Sequence, residues 1–223
     1  MKIIGHLYSD FTTKFGIPRQ SGIVKEIKGK IVLEKEYRVA EAFRELEGFS
    51  HIWLIWQFSE AAREDWRPTV RPPMLGGNTR VGVFATRSPY RPNSMGLSAV
   101  RLDRIEYTDD LGPVLHVSGA DLMNGTPIYD IKPYLPFADS IPDATDGFAG
   151  KAVREKLTVD FPEALKRIIP DEKLDALIAV LADDPRPTYI DDGERIYGIS
   201  FGGYEIKFRV ADGTLSVIKT EKI

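Results

Sequence analysis

Strand-like alternation is the main hydrophobic pattern along this chain. Apolar residues alternate with polar ones, or run together briefly, as is typical of β-strands. Because these segments do not alternate with long helical patterns, they favour a barrel or a strongly bent sheet over a doubly wound parallel sheet. The segments that we predict as strands are 3–8, 29–37, 51–58, 80–84, 98–107 and 114–120.

Helical spacing of apolar residues is rare before residue 150. Residues 39–46 carry it and predict a short helix that ends near Gly48. The segment 59–79 has no clear periodicity, and its prolines disfavour a central strand. The N-terminal part is therefore predicted to be mainly β.

The character of the chain changes at 136–150, which is rich in Pro, Asp, Ala and Gly. Such composition is typical of a boundary. We predict a β-barrel domain at 1–147 and a small α+β domain at 148–223. Beyond the boundary the elements that we predict are helices at 161–169 and 171–181 and strands at 196–210 and 214–220.

Composition excludes some kinds of site. The 223 residues include no cysteine, which rules out disulfides and thiolate metal sites. No apolar signal segment or membrane span is visible, and we expect a cytoplasmic protein. No glycine-rich dinucleotide motif, phosphate loop or zinc-protease motif occurs. The histidines His6, His51 and His116 are far apart in sequence, so we expect packed or hydrogen-bonded side chains and no metal.

Two segments rich in proline and glycine stand out as candidate binding loops. Residues 82–98 hold Arg87 and Arg91 among prolines and an asparagine, and residues 121–134 group acids, hydroxyls and turn formers. Proline fixes φ and glycine permits unusual φ, so both segments are predicted to be stiff. Stiff loops with arginine and amide side chains suit a polar, planar or anionic ligand.

Arginine is concentrated between residues 61 and 93. The net charge of the whole chain is −3, so this concentration is local. The only acids in the stretch are Glu64 and Asp65, and it has no lysine, which favours geometric recognition over diffuse charge. A solvated loop with scattered charges is the alternative. The arginines are Arg63, Arg67, Arg71, Arg80, Arg87 and Arg91.

Several motifs together resemble one family. The run Arg-Ser-Pro-Tyr-Arg-Pro-Asn-Ser-Met-Gly-Leu-Ser at 87–98, followed by Asn-Gly-Thr-Pro at 124–127 and Asp-Ile-Lys-Pro-Tyr at 130–134, closely resembles the TrmO (TsaA-like) family. Further matching motifs lie, in order along nearly the whole chain, at 17–22, 49–53, 66–73 and 184–189. Motifs of this length are far more specific than a lone glycine pattern.

The resemblance implies a fold and an activity. Members of this family are S-adenosylmethionine-dependent methyltransferases that act on N6 of threonylcarbamoyladenosine at position 37, in the anticodon loop of tRNA. Their catalytic domain is a single-sheet β-barrel without the Rossmann glycine motif. The resemblance also implies a homodimer with the cofactor near the subunit interface.

The resemblance further implies a set of cofactor contacts. The chain departs from the family at Asn124, where an aspartate is usual, so attraction of the sulfonium by a charge at this position is in doubt. Glycines at 22 and 125 also have a simpler interpretation as turn residues. The implied contacts are Gln20, Ser21, Gly22, Ser59, Glu60, Arg87, Leu97, Asn124, Gly125, Thr126 and Pro127.

The residue that accepts a proton during the reaction is left open. N6 of the modified adenosine is a poor nucleophile because its lone pair is delocalised, and a carboxylate or phenol could act as base. The candidates are Asp121, Asp130, Tyr134 and, less directly, Tyr129, each of which could equally be structural.

For RNA binding the candidates are arginines, with aromatic residues as possible stacking partners. Trp66 or Tyr90 could hold an unstacked anticodon-loop base, although packing on the barrel is the alternative for Trp66. Two other functions remain open: methylation of a different nucleoside or small metabolite, and a non-catalytic RNA-binding module that keeps a cofactor pocket. The predicted RNA contacts are Arg63, Arg67, Arg71 and Arg91.

Overall fold

A closed antiparallel barrel forms the N-terminal part of the chain, which confirms the predicted mainly β fold. The computed structural model describes residues 1–59, 65–76, 78–152, 155–186 and 192–223. Six strands close the barrel in the order β1-β2-β7-β6-β3-β8, whereas β4 pairs only with β5. The strands are β1 (Gly5–Ser9), β2 (Lys28–Leu33), β3 (His51–Gln57), β4 (Thr69–Val70), β5 (Val81–Gly82), β6 (Met95–Thr108), β7 (Gly112–Ser118) and β8 (Thr126–Pro133).

Alternation along β3 determines which side chains fill the barrel. Ile52, Leu54 and Trp56 are buried in its core together with apolar residues of the other strands. Trp53 and Ile55 therefore face outward from the same strand, because successive side chains point to opposite faces. β3 lies between β6 and β8, so its outer face is flanked by theirs.

The helix predicted at 39–46 is absent. Residues Ala40–Phe43 and Leu46–Gly48 form two separate 3-10 turns, and Phe43 alone among them is buried. Glu45, between the turns, has φ 69°, which a continuous right-handed helix does not permit. The apolar spacing here reflects the anchoring of a loop by one side chain rather than a helix face.

The strand predicted at 80–84 is also shorter than expected. Only Val81 and Gly82 form a ladder, with Thr69 and Val70 as partners. Residues Val83–Ala85 turn into a 3-10 helix that buries Val83 and leaves Phe84 74% exposed. The pattern places Val83 and Phe84 together inside a strand, whereas in the structure Val83 lies in the core and Phe84 lies at the surface.

A four-stranded sheet and one substantial helix make up the C-terminal part. The sheet order is β10-β11-β12-β9, and β9 runs parallel to β12. The strand predicted at 196–210 is two strands, because Gly202 and Gly203 turn the chain with φ 59° and 90°. The elements are α1 (Pro136–Asp139), β9 (Thr158–Asp160), α2 (Glu163–Lys166), α3 (Asp171–Ala182), β10 (Tyr197–Phe201), β11 (Tyr204–Ala211) and β12 (Thr214–Lys222).

The first C-terminal helix is much shorter than the predicted 161–169. Pro162 and Pro170 lie on either side of α2, and proline disfavours the helical region for the residue before it. Phe161 and Ile169 are buried in the core without being helical. The predicted division between residues 147 and 148 lies in a stretch of turns that follows α1.

The C-terminal core includes residues from the beginning of the chain. Phe11, Val24 and Ile27 are buried in the same apolar cluster as α3 and the four-stranded sheet. The rings of Phe11 and Phe201 meet edge to face with centroids 5.3 Å apart. The segment between β1 and β2 is therefore held by the C-terminal part.

In the described parts of the chain, no helix is long and apolar enough to cross a membrane.

Candidate functional site

A cavity of about 810 Å³ lies against the outside of the barrel, where three loops meet. One wall is the segment between β1 and β2, the second is the loop that precedes β6, and the third is the stretch between β7 and β8. The outer faces of β3 and β6 form its floor. Predicted site residues that line it are Gln20, Ser21, Ser59, Arg87, Arg91, Leu97, Asp121 and Thr126.

Among the residues that the structure describes, Asp121 is the one carboxylate that lines this cavity. Its Oδ1 accepts a hydrogen bond of 2.6 Å from Ser98 Oγ, and that hydroxyl in turn accepts a 3.0 Å bond from Trp56 Nε1. Burial raises the pKa of Asp121 above its ordinary value, against the lowering effects of the Ser98 hydroxyl, backbone N–H groups including that of Ser21, and the Arg87 guanidinium. A half-buried carboxylate held by such partners is a candidate acid or base.

Cationic side chains also line the cavity. Arg87 donates from Nη1 to the side-chain oxygen of Gln20, and the Gln20 amide donates to the backbone carbonyl of Arg19. Lys14 and Arg19 also line the cavity. Within the described part of the chain, the lining therefore combines one half-buried carboxylate with several cationic side chains, which suits a ligand that carries both a cationic and an anionic group.

Trp56 forms an apolar wall that the motif comparison did not single out. A Cβ on Gly96 would lie 2.2 Å from the Trp56 ring, so only glycine allows the indole to lie against β6 at this point. The Trp56 and Phe58 rings are 4.2 Å apart. Gly96 precedes the predicted strand 98–107, so its role as a strand glycine in close contact with an indole was not visible in the sequence pattern.

The turn at 124–127 is held mainly by β1. Asn124 Oδ1 accepts a 3.2 Å hydrogen bond from the Ser9 backbone N–H, and Gly125 N–H donates to Leu7 O at 2.8 Å. Gly125 has φ 80°, and Pro127 lies in β8 opposite His6. Of this turn only Thr126 is among the residues that line the cavity. The side-chain oxygen of Asn124 therefore has a structural partner. An aspartate at this position would also supply an oxygen for that hydrogen bond.

The other predicted proton acceptors lie away from the cavity lining. Asp130 pairs with Lys132 at 3.0 Å and borders a separate cavity of about 460 Å³. Tyr134 packs against Trp53 with ring centroids 5.4 Å apart. The Tyr129 hydroxyl donates to Gln57, which does line the main cavity. The structure thus brings Asp121, and none of these three, to the cavity wall.

Gly22 is a predicted contact that does not line the cavity. Gly22 has φ 78° and donates its N–H to Gly119 O at 2.9 Å, so it joins two walls without being among the lining residues. Glu60 lies outside the described residues, as does Arg63 from the RNA-binding set. Leu97 projects from the cavity floor and is 55% exposed.

The remaining arginines of the RNA-binding set have unlike environments. Arg91 donates to three backbone carbonyls of its own loop, those of Val83, Thr86 and Ser88. Arg67 lies over the Tyr90 ring at 5.6 Å from its centroid. Arg71 is exposed, and no ion pair involves it among the residues that the structure describes.

Each histidine has a polar partner within or beside a strand. His6 meets Glu34 at 3.1 Å, His116 meets Glu106 at 2.7 Å, and His51 meets the Ser50 hydroxyl. Across the described ranges, no group of three or more histidine or carboxylate side chains is arranged to hold a metal ion.

Two family models match the chain. The tRNA-methyltransferase O N-terminal domain matches residues 6–140, and the TrmO C-terminal domain matches residues 154–223. A crystal structure of TrmO from P. aeruginosa superimposes with a TM-score of 0.81 at 32% identity, over 99% of this chain and 95% of that one.

Curated relatives are similar over most of the chain. The tRNA (adenine(37)-N6)-methyltransferase of Escherichia coli K12 is 42% identical over 226 aligned residues, which cover 98% of this chain and 96% of that protein. A Pseudomonas aeruginosa protein whose name includes "S-adenosylmethionine-dependent methyltransferase" is 41% identical, over 83% of this chain and 81% of its own length.

Proposed function

We infer that this protein, which belongs to the TrmO family of tRNA methyltransferases, transfers a methyl group from S-adenosylmethionine to N6 of adenine 37 in tRNA. The similarity to the Escherichia coli enzyme over 98% of the chain carries this inference. We propose further that the adenine is the threonylcarbamoyl-modified form, as the motif resemblance implies, and that the reaction takes place in the cytoplasm.

The cavity has a suitable size and chemistry for S-adenosylmethionine. Its volume of about 810 Å³ is typical of small-molecule sites. Asp121 would face the positively charged part of the ligand, and Arg87 with Arg19 would bind its carboxylate. Leu97 and Phe58 offer apolar surface for the adenine ring. When bound, this cofactor supplies a methyl group on a cationic sulfur, ready for displacement.

Asp121 is the residue that we propose as proton acceptor. As N6 of the substrate forms its bond to the methyl carbon and the bond from that carbon to sulfur breaks, N6 must lose a proton. The Asp121 carboxylate takes that proton and afterwards releases it to solvent. Its raised pKa brings its proton affinity nearer to the pH at which the enzyme works, which favours general-base catalysis.

Ser98 and Trp56 hold this base in position. The Ser98 hydroxyl donates to Asp121 and accepts from the Trp56 indole, so the direction of its O–H is fixed. The indole is itself fixed against Gly96. Orientation of the carboxylate is important because displacement at the methyl carbon requires the reacting atoms to be aligned.

We also propose that two copies of the chain associate through the outer face of β3 and β6. Trp53, Ile55 and Leu97 lie on this face, and Leu97 is 55% exposed. This face also forms the floor of the cavity, so a second copy that covers it would lie next to the bound cofactor, as the motif resemblance implies. Sedimentation equilibrium of the purified protein should give twice the mass of the chain, and a monomer mass would exclude this arrangement.

Mass spectrometry of tRNA nucleosides tests the activity. Incubation of the protein with S-adenosylmethionine and tRNA from a strain that lacks the gene should add one methyl group to threonylcarbamoyladenosine. If only unmodified adenosine gained a methyl group, the protein would be a tRNA methyltransferase, but threonylcarbamoyladenosine would not be its substrate. Cofactor binding without any methyl transfer would instead favour a non-catalytic RNA-binding module.

A further inference from the structure

Two aromatic side chains are stacked on the surface beside the cavity. Phe84 is 74% exposed and Trp66 is 47% exposed, yet their rings lie 6.2 Å apart with an interplanar angle of 23°. We call this pair the aromatic platform. Large apolar side chains that pair with each other while facing water commonly mark a binding surface.

The backbone beneath the aromatic platform is rigid. Val83 N–H donates to Pro68 O at 3.0 Å, which joins the Phe84 turn to the segment after Trp66. The Thr86 hydroxyl donates to Val83 O at 2.8 Å, and Arg91 Nη2 donates to the Val83 and Thr86 carbonyls. Val83 itself is buried. These hydrogen bonds therefore hold Phe84 in its exposed position, and its exposure does not result from a frayed chain end.

The segment that carries the aromatic platform is rich in arginine. Residues 65–91 contain arginine at 67, 71, 80, 87 and 91, and Asp65 is their one acid. Arg80 lies on the small β4–β5 hairpin and donates to the Thr69 hydroxyl at 3.0 Å. Exposed aromatic rings with arginines around them are what single-stranded nucleic acids bind, through base stacking and phosphate contacts.

The aromatic platform is close to the reaction site. Phe84 precedes Arg87, which lines the cavity, by three residues, so their Cα atoms are within about 11 Å of each other. A base placed on Phe84 would thus be near the nucleotide whose base enters the cavity. Bases of an RNA loop are unstacked and available for such contacts.

We propose that the aromatic platform stacks a base that flanks the target adenine in the RNA substrate, with Phe84 as the residue in contact with the base. This proposal rests on the proposed function, and it assigns a role to a side chain that the sequence pattern places inside a strand. Trp66 supports the Phe84 ring by stacking against it, and Arg71 contributes to the neighbouring phosphate contacts.

Binding of an anticodon stem–loop RNA by full-length Phe84→Ala, followed by fluorescence anisotropy, tests this. Loss of one stacked base weakens binding about fivefold to a hundredfold, so we expect an affinity lower by that factor and recovery in Phe84→Trp. Tyr107→Ala is the matched control, because Tyr107 is an exposed aromatic residue near the opposite end of β6 from the cavity. Calorimetry should show unchanged S-adenosylmethionine affinity in both variants.

Two results would overturn the proposal. RNA affinity of Phe84→Ala equal to that of Tyr107→Ala would show that no base stacks there. A lower molecular mass of Phe84→Ala in sedimentation would show that the aromatic platform contacts a second copy of the chain. Failure of the proposed function is a separate outcome, since the unaltered protein would then bind the RNA and transfer no methyl group to it.

Discussion

Lys173 in α3 donates a hydrogen bond from Nζ to the carboxylate of Asp10, which lies just after β1. The backbone carbonyl of Asp10 also accepts a 2.8 Å bond from Gly202 N–H. The C-terminal part of the chain thus holds the start of the segment whose later residues, from Lys14 to Ser21, form one wall of the cavity.

Lys173→Ala should weaken cofactor binding without touching the cavity. The lost pair is partly buried, so we expect a loss of about 1 kcal/mol in the free energy of unfolding. We also expect a several-fold weaker S-adenosylmethionine affinity in calorimetry, because the wall is less firmly held. Lys166→Ala is the control, since Lys166 is about as exposed as Lys173 but pairs with the exposed Glu163 inside α2. Equal cofactor affinities in the two variants would contradict the coupling.

Asp121→Asn should retain the fold and lose activity. Asparagine keeps an oxygen that can accept from Ser98 but cannot take up the N6 proton. General-base catalysis contributes about 10²–10⁴-fold to a rate, so we expect kcat to fall by that order. Single-turnover methyl transfer to tRNA is the measurement. A rate within threefold of the unaltered enzyme, at saturating cofactor, would remove Asp121 as the base.

The pH dependence of activity should reflect the same carboxylate. Because burial raises the pKa of Asp121, the charged form needed to accept a proton is lost at a higher pH than for an ordinary aspartate. We expect the single-turnover rate to decline on acidification through that raised pKa, and to be independent of pH in this range in Asp121→Asn. An identical acid limb in both proteins would assign the titration to another group.

The contribution of Asp121 to folding stability should change with pH in the opposite direction to its contribution to activity. The folded protein holds the Asp121 proton more tightly than the unfolded chain, so the contribution of this group to stability falls as the pH rises through the window above the ordinary aspartate pKa. At neutral pH the Asp121→Asn protein should therefore melt at a higher temperature. The difference should vanish on acidification below the ordinary pKa of aspartate. A lower melting temperature at neutral pH would mean that the carboxylate stabilises the fold.

Gly96→Ala should destabilise the barrel at the cavity wall. The added Cβ would meet the Trp56 ring at 2.2 Å, and overpacking of this kind costs about 1–3 kcal/mol. Urea unfolding followed by tryptophan fluorescence measures the change. Gly82→Ala is the control, because a Cβ there meets nothing within 4 Å and the φ of Gly82 is −60°. Similar unfolding midpoints for the two variants would show that Trp56 can move aside.

The barrel strands were accessible from sequence because their side chains alternate locally. Ile52, Leu54 and Trp56 show the pattern directly, and β3 was predicted to within a residue of its bounds. β8 was missed, because Pro127 and Pro133 lie within it and proline usually argues against a strand. Both positions are near its ends, where the strand tolerates a residue without an N–H.

The site was only partly accessible from sequence because its contacts join distant parts of the chain. Asp121 contacts Ser98 and the Ser21 backbone, and no local pattern predicts that meeting. The motifs did indicate which segments matter. They did not distinguish Asp121 from Asp130, because that difference depends on the folded chain: Asp121, between β7 and β8, lines the main cavity, whereas Asp130, within β8, borders the separate one.

Phe11, Val24 and Ile27 are at most 1% exposed, and each is buried by residues more than a hundred positions later in the chain. A protein cut after residue 147 would present these three side chains to water and would tend to aggregate. The two halves therefore cannot be exchanged freely between relatives. In a hybrid enzyme, the segment between β1 and β2 and the C-terminal sheet would have to come from the same parent.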